Sequence, residues 1–262
     1  MKTFTKIILS LLFVLQFTQL SAWTSLRIQN PDNWDSQTGV IEEAVLTVRP
    51  HGIYLQYDMY LTFSAGEWQH ENGEQLEIQY FFDLPENAIV NDAWLWVGED
   101  IMKAKIMSRW EAYQIYEEIV SRRKDPLVFY KNWGNSYELR IYPLMPDETR
   151  RIKISYLVPA TWTDQYVMGN LPTNLLMASS EIPDLKVRVF ANNQFPRPAI
   201  KNHSEIEFKA IEISEPGNFT EAVIPKEQFD ELLKIRFDAP LKNGVFFSTF
   251  NESAGKGYYQ MV

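Results

Sequence analysis

Apolar and polar residues alternate with a period of two along most of this chain, the pattern of strands with one buried face. Ile53, Leu55, Tyr57, Met59, Leu61 and Phe63 fall on one side of a run whose other side carries Tyr54, Gln56, Asp58, Tyr60 and Thr62. His51-Gly52 before it reads as a hairpin turn back to a strand over 44–48. Leu76, Ile78, Tyr80, Phe82 and Leu84 repeat the pattern against Glu77, Gln79, Phe81 and Asp83, and Pro85, which cannot donate to a ladder, closes it. Ala93, Leu95 and Val97 alternate with Trp94 and Trp96, and a turn at Gly98-Glu99-Asp100 leads into a partner with Lys103 and Lys105 on its polar side. Tyr137, Leu139 and Ile141, then Ile152, Ile154 and Tyr156 beyond a loop at 143–148, read as a hairpin with one wet face bearing Glu138, Arg140, Arg151 and Lys153. A Pro, Asn and Ser loop over 170–182 is followed by further β runs near 185–189, 206–208, 233–237 and 245–249. The last run, 258–262, can pair with 246–250 and stops in mid-strand, the pattern of a chain cut short.

The period changes to that of a helix once. Ser108 and Glu111 form a capping box, and Ala112, Ile115, Tyr116, Ile119 and Val120 draw one apolar stripe. Arg122, Arg123 and Lys124 complement the negative end of the helix dipole, and Pro126 forces Asp125 out of helical geometry. The spacing predicts a packed helix over 108–122, which at four turns needs a sheet to lie on.

Charge and composition narrow the setting. Lys2 and Lys6, an apolar run over 7–17 and the small pair Ser21-Ala22 have the layout of a secretory signal peptide, residues 1–22, too short to span a bilayer. Its removal takes the formal charge from −9 to −11, which makes nucleic acid and anionic membranes poor partners. An exported chain without cysteine has no disulfide framework and no thiolate chemistry, so its stability comes from core burial.

Candidate chemistry is sparse. His51, His70 and His203 sit in turn-like text outside any H-E-x-x-H spacing, and no nucleophile elbow, phosphate loop or dinucleotide fingerprint occurs. The acid pairs Asp32 with Asp35, Glu42 with Glu43, and Glu99 with Asp100 lack the periodic oxygens of a calcium loop. Neither a metal nor a cofactor is expected. Tyr54, Tyr60, Phe81, Trp94 and Trp96 stand out, because they fall on the side of their strands that should be polar. Either another element covers them, or they form a flat platform that stacks on sugar rings or grips a protein.

One family matches this order of segments. Leu76 to Ala88, Ala112 to Val120, Arg123-Lys124-Asp125-Pro126, and Tyr142-Pro143-Leu144-Met145-Pro146 running into Arg151 to Tyr156 resemble the VIT domain of vault proteins and inter-alpha-trypsin inhibitor heavy chains, over roughly 40–160. The resemblance implies a mainly β fold: a VIT-like β-sandwich over 23–160 with one packed helix, then a second β-rich connector subdomain over 161–262. It also implies a secreted or surface protein in which a von Willebrand factor type A domain usually follows. The adhesion motif D-x-S-x-S of that domain is absent from this sequence, so its metal is carried over to no residue here. The loop at 64–73 is longer and more polar than the family's, and Leu-Val-Phe-Tyr-Lys follows Pro126 where small and apolar residues are common. The expected function is a non-catalytic exported scaffold or interaction module, with a protein or glycan partner at the cell surface or matrix. The alternative is a carbohydrate-binding or glycan-acting sandwich that uses its surface aromatics.

Overall fold

The computed structural model describes residues 24–68, 73–104, 127–190, 194–211, 218–229, 232–251 and 256–262. The signal sequence over 1–22 and the helix over 108–122, with Ser108, Glu111, Ile115, Tyr116, Ile119, Asp125 and Pro126, lie outside the described residues.

Alternation places the strands as read. The 51–54 turn joins β3 (Val40–His51) to β4 (Tyr54–Ser64) in register from His51 opposite Tyr54, with Gly52 at φ 61°, a left-handed value that glycine adopts without a side-chain clash. Leu55, Tyr57, Met59, Leu61 and Phe63 are completely buried on one face of β4. β10 (Thr149–Pro159) pairs with the other edge of β4, followed by β6 (Ile89–Val97) and β7 (Asp100–Lys103). On the far side of β3 come β13 (Leu185–Phe190), β16 (Phe219–Ile224) and β15 (Lys209–Ile211), completing an eight-stranded sheet.

A second sheet of five strands runs in the order β2 (Ser36–Thr38), β1 (Ser25–Gln29), β5 (Leu76–Asp83), β9 (Ser136–Leu144), β8 (Leu127–Lys131). Its Leu26, Ile28, Leu76, Ile78, Tyr80, Phe82, Leu139 and Ile141 join the inward side chains of the large sheet in one core, with Phe63 and Tyr80 ring centroids 5.3 Å apart across the layers. The segment over 170–182 is more ordered than a loop: a 3-10 turn over Thr173–Ala178 buries Leu175 and Leu176, and the Tyr80 hydroxyl donates to the Leu175 carbonyl at 2.8 Å. A four-stranded sheet of β11 (Thr161–Trp162), β12 (Tyr166–Asn170), β17 (Lys234–Asp238) and β14 (Ala199–Ile200) packs on the same large sheet. There Gly169 sits so close to β4 that a Cβ would lie 2.3 Å from the Tyr57 hydroxyl. The hairpin of β18 (Phe247–Asn251) and β19 (Gly257–Met261) forms in the expected register.

The structure corrects several expectations. β9 and β10 do not form a hairpin: β9 pairs with β5 and β8, while β10 pairs with β4 and β6. The loop over 143–148 carries the chain from one layer to the other, and alternation fixes a strand's face but not its neighbour. Nor is the side of β9 that bears Glu138 wet; Glu77, Gln79 and Glu138 are all buried. No sheet boundary falls at residue 160, because β13 adds in parallel to β3 from Leu185 opposite Ala44 to Val189 opposite Val48. The parts over 23–160 and 161–262 thus share one sheet and one core. Ile206, expected in a strand, instead closes a turn through its N–H to the His203 carbonyl at 3.2 Å.

Candidate binding face

The outer face of the large sheet is where the sequence placed unexpected aromatics. Registers set Tyr60, Lys153, Trp94 and Lys103 in one row across β4, β10, β6 and β7, and Thr62, Arg151, Trp96 and Ile101 in the next. Trp94 therefore has a lysine on each neighbouring strand. Lys153 Nζ lies 3.1 Å from the centroid of its ring and Lys103 Nζ lies 5.0 Å away. The Arg151 guanidinium lies 5.0 Å from the centroid of Trp96 and 5.3 Å from that of Tyr60. Trp94 and Trp96 are 5.9 Å apart, Tyr60 and Trp96 are 6.1 Å apart, and the Trp94 indole N–H donates to Asp92. A cation over an aromatic face is held by the ring quadrupole, more strongly when water is excluded.

The same face divides by charge. On its β3 and β13 side, Lys186 pairs with Glu43 at 2.7 Å, and Arg188 pairs with Glu221 at 2.7 Å. The hydrogen bond from Lys186 holds the Glu43 carboxyl below its ordinary range. On the β10 to β7 side, no ion pair joins Arg151, Lys153 or Lys103 to a carboxylate among the described residues. Lys153 is buried, which lowers its pKa against the opposing pull of Asp58 and Asp92; Lys103 and Arg49 lower it further.

Of the five aromatics singled out in the sequence, Tyr60, Trp94 and Trp96 come together and are half-buried. Tyr54 is on the same face but six residues along β4, about 20 Å away. Phe81 belongs to β5 in the other sheet. The cations were legible as polar positions, but their seats over the rings follow from cross-strand register, which no local pattern encodes. Trp34 and Trp133, not singled out before, project from turns with 73% and 88% of their surface exposed.

Elsewhere, a cleft of about 660 Å³ at the end of the sheets is lined by Glu42, Glu67, Asp147, Glu148 and Glu181 among others. Among the described residues no group of His, Cys, Asp and Glu is arranged to hold a metal ion. His51 packs against Phe250 with centroids 5.4 Å apart, and His203 Nδ1 contacts Glu205 at 2.9 Å. His70 lies outside the described residues.

The β layers and the order of their strands define a β-rich domain with a ring-and-cation face. Residues 56–156 match the family model described as the vault protein inter-alpha-trypsin domain (VIT). No curated protein matches the chain. Among solved structures, it is similar to a Legionella pneumophila protein described as nutrient-binding, with TM-score 0.43 and 13% identity over 82% of this chain and 72% of that one. It is also similar to an M1 zinc metallopeptidase of Deinococcus radiodurans, with TM-score 0.40 and 13% identity over 85% of this chain and 47% of that one. A third similar structure is the aminopeptidase A of Legionella pneumophila, with TM-score 0.42 and 11% identity over 89% of this chain and 25% of that one. The chain thus spans less than half of either peptidase, and likeness at these scores says nothing of activity.

Proposed function

We propose that the chain is a non-catalytic interaction module of an exported protein, one whose β scaffold holds a partner or a neighbouring domain at the cell surface or matrix. The VIT match over 56–156 supports this reading, since the family suggests a scaffold or interaction role. The single observation that carries it is the Trp96, Arg151, Tyr60 and Trp94, Lys153, Lys103 lattice, which spends its chemistry on charge and surface rather than on an acid, base or nucleophile. It also weighs against the glycan alternative. A sugar needs an open ring face to stack on, and Trp94 is flanked by ammonium groups from both neighbouring strands. Export through residues 1–22 and a following type A domain belong to the same reading.

The test is retention. Purified chain added to the cells that produce it should remain at their surface, lose that retention in high salt, and turn over no peptide, ester or glycoside substrate. Free diffusion of the chain, or turnover of any of those substrates, would overturn the proposal.

A further inference from the structure

The geometry points to β7 as a docking edge for an extended peptide carrying a carboxylate side chain, an assignment that rests on the interaction-module reading and gives it a partner chemistry. All four residues of β7 are exposed, Ile101 at 47% and Met102 at 40%, and among the described residues β7 pairs only with β6. The Ala104 N–H donates to the Ala93 carbonyl at 2.7 Å. In an antiparallel ladder successive residues alternate in direction, so Met102 also points its backbone groups at β6, while Ile101 and Lys103 point theirs outward. Among the described residues nothing pairs with the outward donors and acceptors of these two, and such an open ladder is the requirement for strand addition.

Their side chains lie on the outer face beside Trp96 and Trp94. A strand added at about 4.8 Å would set one side chain next to Lys103 and another, two positions along, next to Ile101. Lys103 is exposed, rests on Trp94, and has no ion-pair partner among the described residues; Arg151 behind it is exposed and in the same condition. The cations across the sheet are already compensated by Glu43 and Glu221. The complement is a carboxylate beside Lys103 and an apolar residue beside Ile101, and Glu99 and Asp100 at the turn disfavour a second acid at that end. A short strand carrying lysine is also how proteins keep an edge from pairing indiscriminately. Here the same device selects the charge of what pairs.

The experiment uses the full chain and an eight-residue blocked peptide of alternating Glu and Val. Its Gln/Val and Lys/Val counterparts and an oligogalacturonate, which carries the charge without a peptide backbone, complete the set. Binding is read by anisotropy and by the amide signals of Ile101 and Lys103. The Glu/Val peptide should bind at least tenfold more tightly than either counterpart and protect both amides from exchange. Lys103→Gln should weaken it at least fivefold, and Arg151→Gln should weaken it by a smaller factor. Ile101→Pro removes an outward N–H while leaving the β6 ladder intact, and should weaken binding at least tenfold. Equal binding of the three peptides, binding indifferent to Ile101→Pro in a chain that still melts cooperatively, or tighter binding of the oligogalacturonate would each overturn the assignment. Should Ile101→Pro not fold, unprotected Ile101 and Lys103 amides in the saturated native chain would overturn it equally. Surface retention of a native chain that binds none of the peptides would sink this edge alone; loss of retention by the native chain would sink the wider reading.

Discussion

A chain ending at residue 160 should fail to melt cooperatively, although it contains the whole span that matches the VIT domain. Five residues of β13 extend the ladder of β3, and Leu185, Val187 and Val189 are buried beside Ala44, Leu46 and Val48. On the inner face, Gly169 of β12 lies against Leu55 and Tyr57, which the truncation would uncover. Each such side chain contributes about 1.5–3 kcal/mol by burial, so losing a handful approaches the roughly 5–15 kcal/mol that holds a typical protein folded. The truncation would also bare the edge of β3, twelve residues long with Val, Ile and Leu at its buried positions, which is an aggregation template. Thermal melts of the two chains followed by circular dichroism decide the matter. A truncated chain that melts cooperatively within about 5 °C of the full one, a gap worth roughly 1–2 kcal/mol at this size, would restore a domain boundary at residue 160.

Removing the Arg140 side chain should cost about 3–5 kcal/mol. Arg140 Nε lies 2.6 Å from Glu138, and Nη1 lies 3.8 Å from Glu77, whose other carboxylate oxygen accepts from Gln79. Burial alone would lower the guanidinium pKa, but Glu138 and Glu77 overcome it and hold the group above its ordinary value. Tyr130, opposite Glu138 in the ladder, is pushed up by burial and by its hydrogen bond to that carboxylate. Arg140→Ala would leave Glu138, 2% exposed, charged and without its nearest cation. The double variant Arg140→Met with Glu138→Gln should recover most of the loss, because it removes both charges together. Urea melts check both variants. A loss under 1 kcal/mol for Arg140→Ala would mean that other groups already satisfy the Glu138 carboxylate.

How far the sequence led depends on whether a feature is local. Faces were legible: every inward residue of β4 and β5 was assigned from alternation, because the pleat has a period of two and burial follows it. Partners were not. The jump of β9 and β10 into different layers and the parallel docking of β13 on β3, about 140 residues away, rest on long-range packing with no local signature. The candidate face shows the same division. Trp94, Trp96 and Tyr60 announced themselves as aromatics at polar positions. That Lys153 and Lys103 would flank one ring, and Arg151 would cover two, depended on registers that only the assembled sheet fixes. The wet side expected for Glu138 failed for a related reason: Arg140 pairs with Glu138 and reaches Glu77, and Gln79 donates to Glu77, so a polar pattern marked a buried ion-pair cluster rather than solvent.

Whether the outer face of the large sheet recognises charge rather than sugar is read directly by the indole N–H signals of a ¹⁵N-labelled chain. Trp94 and Trp96 report on the face, and the exposed Trp34 and Trp133 serve as controls away from it. Titration with the acidic peptide should move the Trp94 and Trp96 signals and leave the two controls in place, while neutral oligosaccharides move none of the four. Shifts of Trp94 and Trp96 with a neutral oligosaccharide, and none with the acidic peptide, would contradict the account and return the face to the glycan reading.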